Sequence, residues 1–289
     1  MADTLQRFLF EHAPIRGEIV RLDATWRAVL ERHHYPPPLR AVLGELMAAA
    51  ALLAATLKFS GSMVLQVHGS GPVSLIVVEC TSAHTLRATA KWRGEIGSAS
   101  LRELIGSGRF AITLISDGGR QSYQGVVAID GESVASVLEH YMRNSEQLDT
   151  VIKLAASDER AAGLLVQKLP DSATHQTEDW RRAAILTATL SDAELLALAP
   201  QDILHRLYHE EDVRVFDPRP VAFRCSCSRK RVASMLRMLG IDEVRAIVRE
   251  RGTIDVNCEF CNRAYTFDSV DAEQVLPPEH PQLASKTRH

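Results

Sequence analysis

Cysteine is nearly absent from this 289-residue chain: there are five, and four fall in two close pairs, Cys225-Ser226-Cys227 and Cys258-Glu259-Phe260-Cys261. The odd count argues against a framework of permanent disulfides. The N-terminus, Met1-Ala2-Asp3-Thr4-Leu5-Gln6-Arg7, has neither the basic nor the apolar region of a signal peptide. Net charge is small, −3, which argues against a general nucleic-acid binder but leaves room for a local basic patch. Long apolar runs are missing too. The most hydrophobic stretch, Leu46 to Leu57, is about 12 residues against the ~20 that span a bilayer, and its flanks Arg40, Glu45 and Lys58 suit a buried helix. No Gly-x-x-x-x-Gly-Lys-Ser/Thr loop occurs, nor a Gly-x-Gly-x-x-Gly after a strand, so no nucleotide cofactor is expected. The eleven histidines show no metal-type spacing beyond His33-His34, at a helix end. The expectation is a cytoplasmic protein with no membrane partner, in a reducing compartment where paired cysteines rest as metal ligands.

What is there begins with those pairs. Thiolates prefer soft or borderline metals, and zinc takes four of them in a closed tetrahedral site. Two close pairs separated by a folded insert can deliver Cys225, Cys227, Cys258 and Cys261 to one ion. The CxC spacing is the unusual part, since a bridge across it closes a smaller, more strained and more oxidising ring than CxxC. Four readings stand open at this point: a structural zinc site, a zinc site that doubles as a redox sensor, a nucleic-acid-binding zinc module, and a dithiol oxidoreductase. Cys80 ends an apolar strand and reads as a buried, inert thiol.

The apolar fraction, 46%, suffices for a real core. Residues 14–22 alternate as a strand, and Asp23 can cap the helix that follows through about Arg32. Tyr35-Pro36-Pro37-Pro38 introduces a long helix over 39–58, since proline suits the first helical turn. From Ser62 the period becomes two, predicting strands at 63–68, 73–80 and 84–91, then a hairpin of 109–116 and 121–129. A helix carrying Val134, Val137, Leu138 and Tyr141 follows, then strands at 148–155 and 163–169. The fold class expected is α+β: an N-terminal mixed α/β domain over 1–170 on one sizeable sheet, a helical linker over 171–220, and a small C-terminal zinc-binding domain over 221–289.

The linker opens at Asp171-Ser172-Ala173-Thr174 and carries short helical patterns around 178–190, 191–199 and 200–209. It has ten acidic residues against five arginines, whereas 221–265 has nine Lys/Arg against five acids. Opposite bias suggests that the two dock on each other, or simply that both faces are solvated. In the metal module Ser228 caps a helix with Val232, Met235, Leu236 and Leu239 on one face. A helix over 242–251 and a hairpin of 253–257 and 263–267 complete it. So few residues bury too little to fold alone, so metal supplies most of the module's stability. The tail after Pro277 reads as disordered.

With these pieces in place the chain resembles the heat-shock protein 33 family of redox-regulated chaperones over nearly its full length. The resemblance is carried by Tyr35-Pro36-Pro37-Pro38 with Leu43-Gly44-Glu45-Leu46, by Gly71-Pro72 with Val77-Val78-Glu79-Cys80, and by Tyr123-Gln124-Gly125-Val126 with Gly131-Glu132. Ser145-Glu146-Gln147-Leu148 and Gly163 to Pro170 extend it. Its most specific stretch is Val221 to Arg231, joined by Val256 to Asn262. The family's four zinc ligands fall on Cys225, Cys227, Cys258 and Cys261. The resemblance implies a non-enzymatic, ATP-independent holdase that binds unfolded or partly folded client proteins. It implies inactivity while reduced and zinc-bound, and activation by Cys225–Cys227 and Cys258–Cys261 disulfides that expel the ion. It also implies a homodimer in the oxidised form. The rival, a nucleic-acid-binding module using Arg224, Arg229, Lys230, Arg231 and Arg237, lacks interleaved aromatics. No catalytic constellation beyond the cysteines is found.

Overall fold

A helix apolar on every side has to be buried on every side. Helix α2, Pro37–Thr56, is such a helix, with its residues from Leu46 to Ala54 all buried. By length and composition it could cross a bilayer, longer than the apolar run its sequence suggests. Here it is the central core helix, and its alanines, Ala48 to Ala51, allow close approach by its neighbours. Proline at its first turn lacks only an N–H that has no helical partner there.

The computed structural model describes residues 3–97, 99–118, 121–170 and 177–271. By contacts the chain divides into two compact units, Met1–Cys225 and Ser226–His289. The first is built on two six-stranded sheets rather than the single sheet expected from sequence. In the first sheet, β1 (Thr4–Phe10), β2 (Ile15–Leu22), β9 (Ala161–Lys168) and β8 (Thr150–Ala156) lie side by side, all antiparallel. In the second, β5 (Thr85–Trp92), β4 (Val73–Thr81), β3 (Gly61–Gly69), β6 (Gly108–Ser116) and β7 (Gln121–Ala128) follow the predicted hairpin order. Helix α2 packs with residues of both sheets in one core, together with α1 (Ala24–Leu30) and α4 (Val134–Asn144). Val134, Val137, Leu138 and Tyr141 of α4 are buried as the sequence predicts.

The first sheet is covered on its other face as well. Phe8, Phe10, Ile15, Ile19, Leu164 and Val166 meet Ala183, Leu190, Leu195, Ile203, Leu204, Leu207 and Tyr208. The latter come from the linker, whose helices are α5 (Thr177–Ala188), α6 (Asp192–Ala197) and α7 (Pro200–Tyr208). Their apolar faces are therefore buried within the first unit, on the N-terminal sheet. Ser191 and Glu194 form the capping box that opens α6. Arg160 donates to the Leu196 carbonyl while holding Asp23 at 2.9 Å, and Arg21 donates to the Leu198 carbonyl at 3.5 Å. With its carboxylate taken by these arginines, Asp23 does not cap α1 as its position predicts; the Asp3 carboxylate accepts from the N–H groups of Asp23, Ala24 and Thr25. Close contact with the sheet needs Gly17, because a Cβ there would lie 2.0 Å from the Phe8 ring. The start of the linker at 171–174, the Gly119-Arg120 part of the hairpin turn and the tail after Pro277 lie outside the described residues.

After α7 the chain turns into a strap. Strand β10 (Val213–Val215) and β11 (Arg219–Pro220) pair antiparallel with β1, and β12 (Ala222–Phe223) pairs parallel with β5. The strap thus lies along one edge of each sheet in turn.

The second unit holds α8 (Arg229–Leu239), α9 (Ile241–Arg251) and the hairpin β13 (Ile254–Asn257) with β14 (Ala264–Phe267). Its core is small: Val232, Ala233, Leu236, Val244, Ile254, Tyr265 and Phe267. Of the face predicted for α8, Val232 and Leu236 are buried. Met235 and Leu239 are instead 43% and 54% exposed, and Ala233 takes their place in the core.

Candidate metal centre

Cys225 arrives at the end of the strap. Its backbone is led there by Ala222 N–H donating to the His84 carbonyl at 3.3 Å and Arg224 N–H donating to the Leu86 carbonyl at 3.0 Å. Arg87, next on β5, donates from Nη1 to the Cys225 sulfur at 3.8 Å. The same guanidinium donates from Nε to Glu79 Oε2 at 3.0 Å across the β4–β5 ladder. Charge-assisted bonds of this kind fix the fork of an arginine.

Cys227 accepts from the Tyr265 hydroxyl at 3.1 Å. That bond to sulfur, with some burial, pushes the Tyr265 phenol up to about 12. Ser228 then caps α8 by accepting from Arg231 N–H, and Arg231 Nη1 returns to the Ser226 carbonyl at 2.9 Å. Cys258 and Cys261 sit on a tight turn after β13. Cys258 N–H donates to the Arg263 carbonyl at 2.9 Å and Asn262 N–H to the Cys258 carbonyl at 2.7 Å. Asn262 closes the turn with φ +57°, a left-handed conformation that asparagine tolerates better than most residues.

The four sulfurs all lie within 4.8 Å of one another, and those of Cys227 and Cys261 are 3.4 Å apart. A tetrahedral zinc with sulfur ligands at ~2.3 Å has ligand–ligand edges of about 3.8 Å. The donor set and its spacing therefore fit zinc. All four cysteines expected from sequence come together, and Cys80 is not among them. Burial pushes the Cys80 thiol up to about 12, so it stays protonated.

Arg87, Glu79 and Tyr265 escape sequence reasoning. Arg87 reaches Cys225 across 138 positions, and no spacing rule covers such a contact. Of the cations invoked for nucleic acid, Arg229 is engaged inside the module. It pairs with Asp271 at 2.6 Å, donates to the Thr266 carbonyl at 2.8 Å and stacks 4.3 Å over the Phe267 ring. Arg231 is turned back onto Ser226.

The family model described as "Hsp33 protein" matches residues 3–268. The 33 kDa chaperonin of Chromobacterium violaceum is 50% identical over 289 residues, covering 99% of this chain and 98% of its own length. The protein of the same name from Methylobacillus flagellatus is 50% identical over 291 residues, covering 100% and 99%. The crystal structure of the 33 kDa chaperonin (heat shock protein 33 homolog) from Thermotoga maritima superposes with a TM-score of 0.81. It is 23% identical, with 94% of this chain and 97% of that one covered, and so speaks to the fold alone.

Proposed function

Because the chain belongs to the Hsp33 protein family, we propose that it is a chaperone of the holdase type. It binds unfolded or partly folded clients in the cytoplasm, and oxidation switches it on. The observation that carries the redox reading is the gathering of Cys225, Cys227, Cys258 and Cys261 within 4.8 Å, three of them in a unit whose described core is very small. Zinc bound there would hold the sulfurs as thiolates, the form that oxidants attack.

In the reduced state the four cysteines would hold the ion, with Arg87 fixing Cys225 and Tyr265 fixing Cys227. A two-electron oxidant of the peroxide class then takes electrons from each neighbouring pair. Two thiolates become one disulfide, and peroxide, taking up two protons, becomes water. Cys225–Cys227 and Cys258–Cys261 are the products, Cys80 stays a thiol, and sulfurs so paired would no longer hold a metal. Structural zinc contributes roughly 10–16 kcal/mol to folding in small modules. The seven buried hydrophobic residues among the described part of the second unit cannot replace that, so the unit unfolds.

The organisation follows: residues 1–170 as chaperone core, 171–220 as switch segment, and 221–289 as redox sensor. Loss of the sensor releases the strap and linker from the core, and the sheet face bearing Phe8, Phe10, Ile15 and Ile19 becomes available to clients. The oxidised form is a homodimer. Light scattering of a heat-denaturing client tests the whole reading. Suppression of aggregation by the oxidised protein, and little by the reduced zinc form, is the expected result. Equal suppression by both would remove the redox switch, and suppression by neither would remove the chaperone.

A further inference from the structure

The strap, residues 212–224, occupies two sheet edges with very little structure of its own. Its strands are three, two and two residues long and largely exposed. On β1 it pairs Phe8 with Val215, Leu9 with Arg214 and Phe10 with Val213, then Thr4 with Pro220 and Leu5 with Arg219. Glu11 N–H donating to Asp212, Phe216 N–H to Arg7 and Val221 N–H to Asp3, at 2.9, 2.9 and 3.1 Å, complete that hold. On β5 it pairs only Ala222 with Thr85 and Phe223 with Leu86. Beneath these thin ribbons lie strands of seven and eight residues, each paired on its inner side along nearly its whole length.

An edge strand with its partner removed presents a row of unpaired N–H and C=O groups, which is a template for another extended chain. Recognition of that kind runs through main-chain bonds and tolerates almost any sequence. A holdase needs that tolerance, because its clients share an unfolded backbone and little else. The strap ends at Cys225, so what releases the metal ligands also frees its anchored end.

We infer that the edges of β1 and β5 now held by residues 213–223 are docking sites for extended segments of unfolded polypeptide, which add as strands in the strap's place. The inference rests on the holdase reading above and adds where, and through which atoms, the client is held. The strap is a placeholder in the client's own conformation, antiparallel on β1 and parallel on β5.

Hydrogen exchange on the oxidised full-length chain tests this, with reduced carboxymethylated α-lactalbumin as the permanently unfolded probe. Oxidation should speed exchange of the outward-facing amides of residues 4–10 and 85–86 by at least about 10-fold, and the probe should slow them again. If the probe binds while those amides stay fast, or while the strap keeps its own protection, the edge sites are wrong and the holdase reading stands. If the probe does not bind the oxidised chain at all, both fall. Arg214→Pro gives a second arm, since proline removes a backbone N–H from the middle of the strap. In the reduced, zinc-loaded protein it should raise affinity for the probe by about 5-fold, the worth of one net hydrogen bond. A faster-exchanging strap with unchanged affinity would overturn the inference.

Discussion

Arg87 shows what single residues contribute that patterns do not display. It stands behind one candidate metal ligand, Cys225, gripped by Glu79, and outer-shell partners of this kind change metal affinity by about 10–100-fold when removed. Arg87→Ala should therefore weaken zinc binding by about that factor in a chelator competition, with Arg87→Lys between it and wild type. Cys225→Ser should lose most of the metal and Cys80→Ser none, measured as zinc per reduced chain. Glu45 makes a different prediction. Burial, reinforced by Asp192, raises its carboxyl from 4.5 to about 7. A raised carboxyl contributes stability that is fully present below the unfolded value and lost as pH rises through the folded one. The penalty therefore grows between about pH 4.5 and 7 and is complete above that. Glu45→Gln should stabilise the protein by up to about 3 kcal/mol at pH 8 and by little at pH 4.5, followed by denaturant melts across that range.

Elements were legible where their own residues carry a period. Helix α4 and the strands of the second sheet announce themselves, because alternating or 3.6-spaced apolar residues are what a buried face requires. The pieces that escape are those whose order comes from a neighbour. Strand β1 reads Thr4-Leu5-Gln6-Arg7-Phe8-Leu9-Phe10, where Leu9 breaks the alternation because β1 is paired on both sides and covered on both faces. Strands of two or three residues in the strap are too short to show any period. The linker helices were legible as helices, yet their docking partner was not, since charge bias pointed to the metal module and packing chose the sheet. Leu195, only 2% exposed, is the point at which to test that docking. Leu195→Ala should cost about 2–5 kcal/mol of stability. Leu195→Asp should go further, detach α5 to α7, and give client binding in the reduced state; an aggregation assay on the zinc-loaded variant checks it.

At the scale of the molecule, the four-cysteine cluster was fully readable, because metal ligands must be close in space and here come as near neighbours in sequence. The presence of two sheets was not, since nothing in a strand's alternation says which other strands it joins. The two units should also differ in how they fail. The first has a large continuous core, the second, among its described residues, seven buried hydrophobic side chains and three of the four clustered sulfurs. Chelating the metal from the reduced chain should therefore raise hydrogen exchange across 226–271 while residues 73–81 stay protected. Oxidation should add 177–208 to the exchanging set. If the linker helices kept their protection after oxidation, clients would have to be held elsewhere than on the sheet that those helices cover.

The linker helices are joined by continuous chain to the sheet whose apolar face they cover, and on the proposed holdase reading that sets how a captured protein is let go. A segment that remains attached revisits its own binding surface at an effective concentration in the millimolar range. Once the thiols and metal are restored, the helices compete with the captured protein as an intramolecular rival that dilution cannot weaken. Release should then follow first-order kinetics after reduction, at a rate independent of how much unfolded protein is free in solution. A stopped-flow trace whose rate constant scaled with that concentration would mean that captured chains exchange with one another rather than being displaced from within.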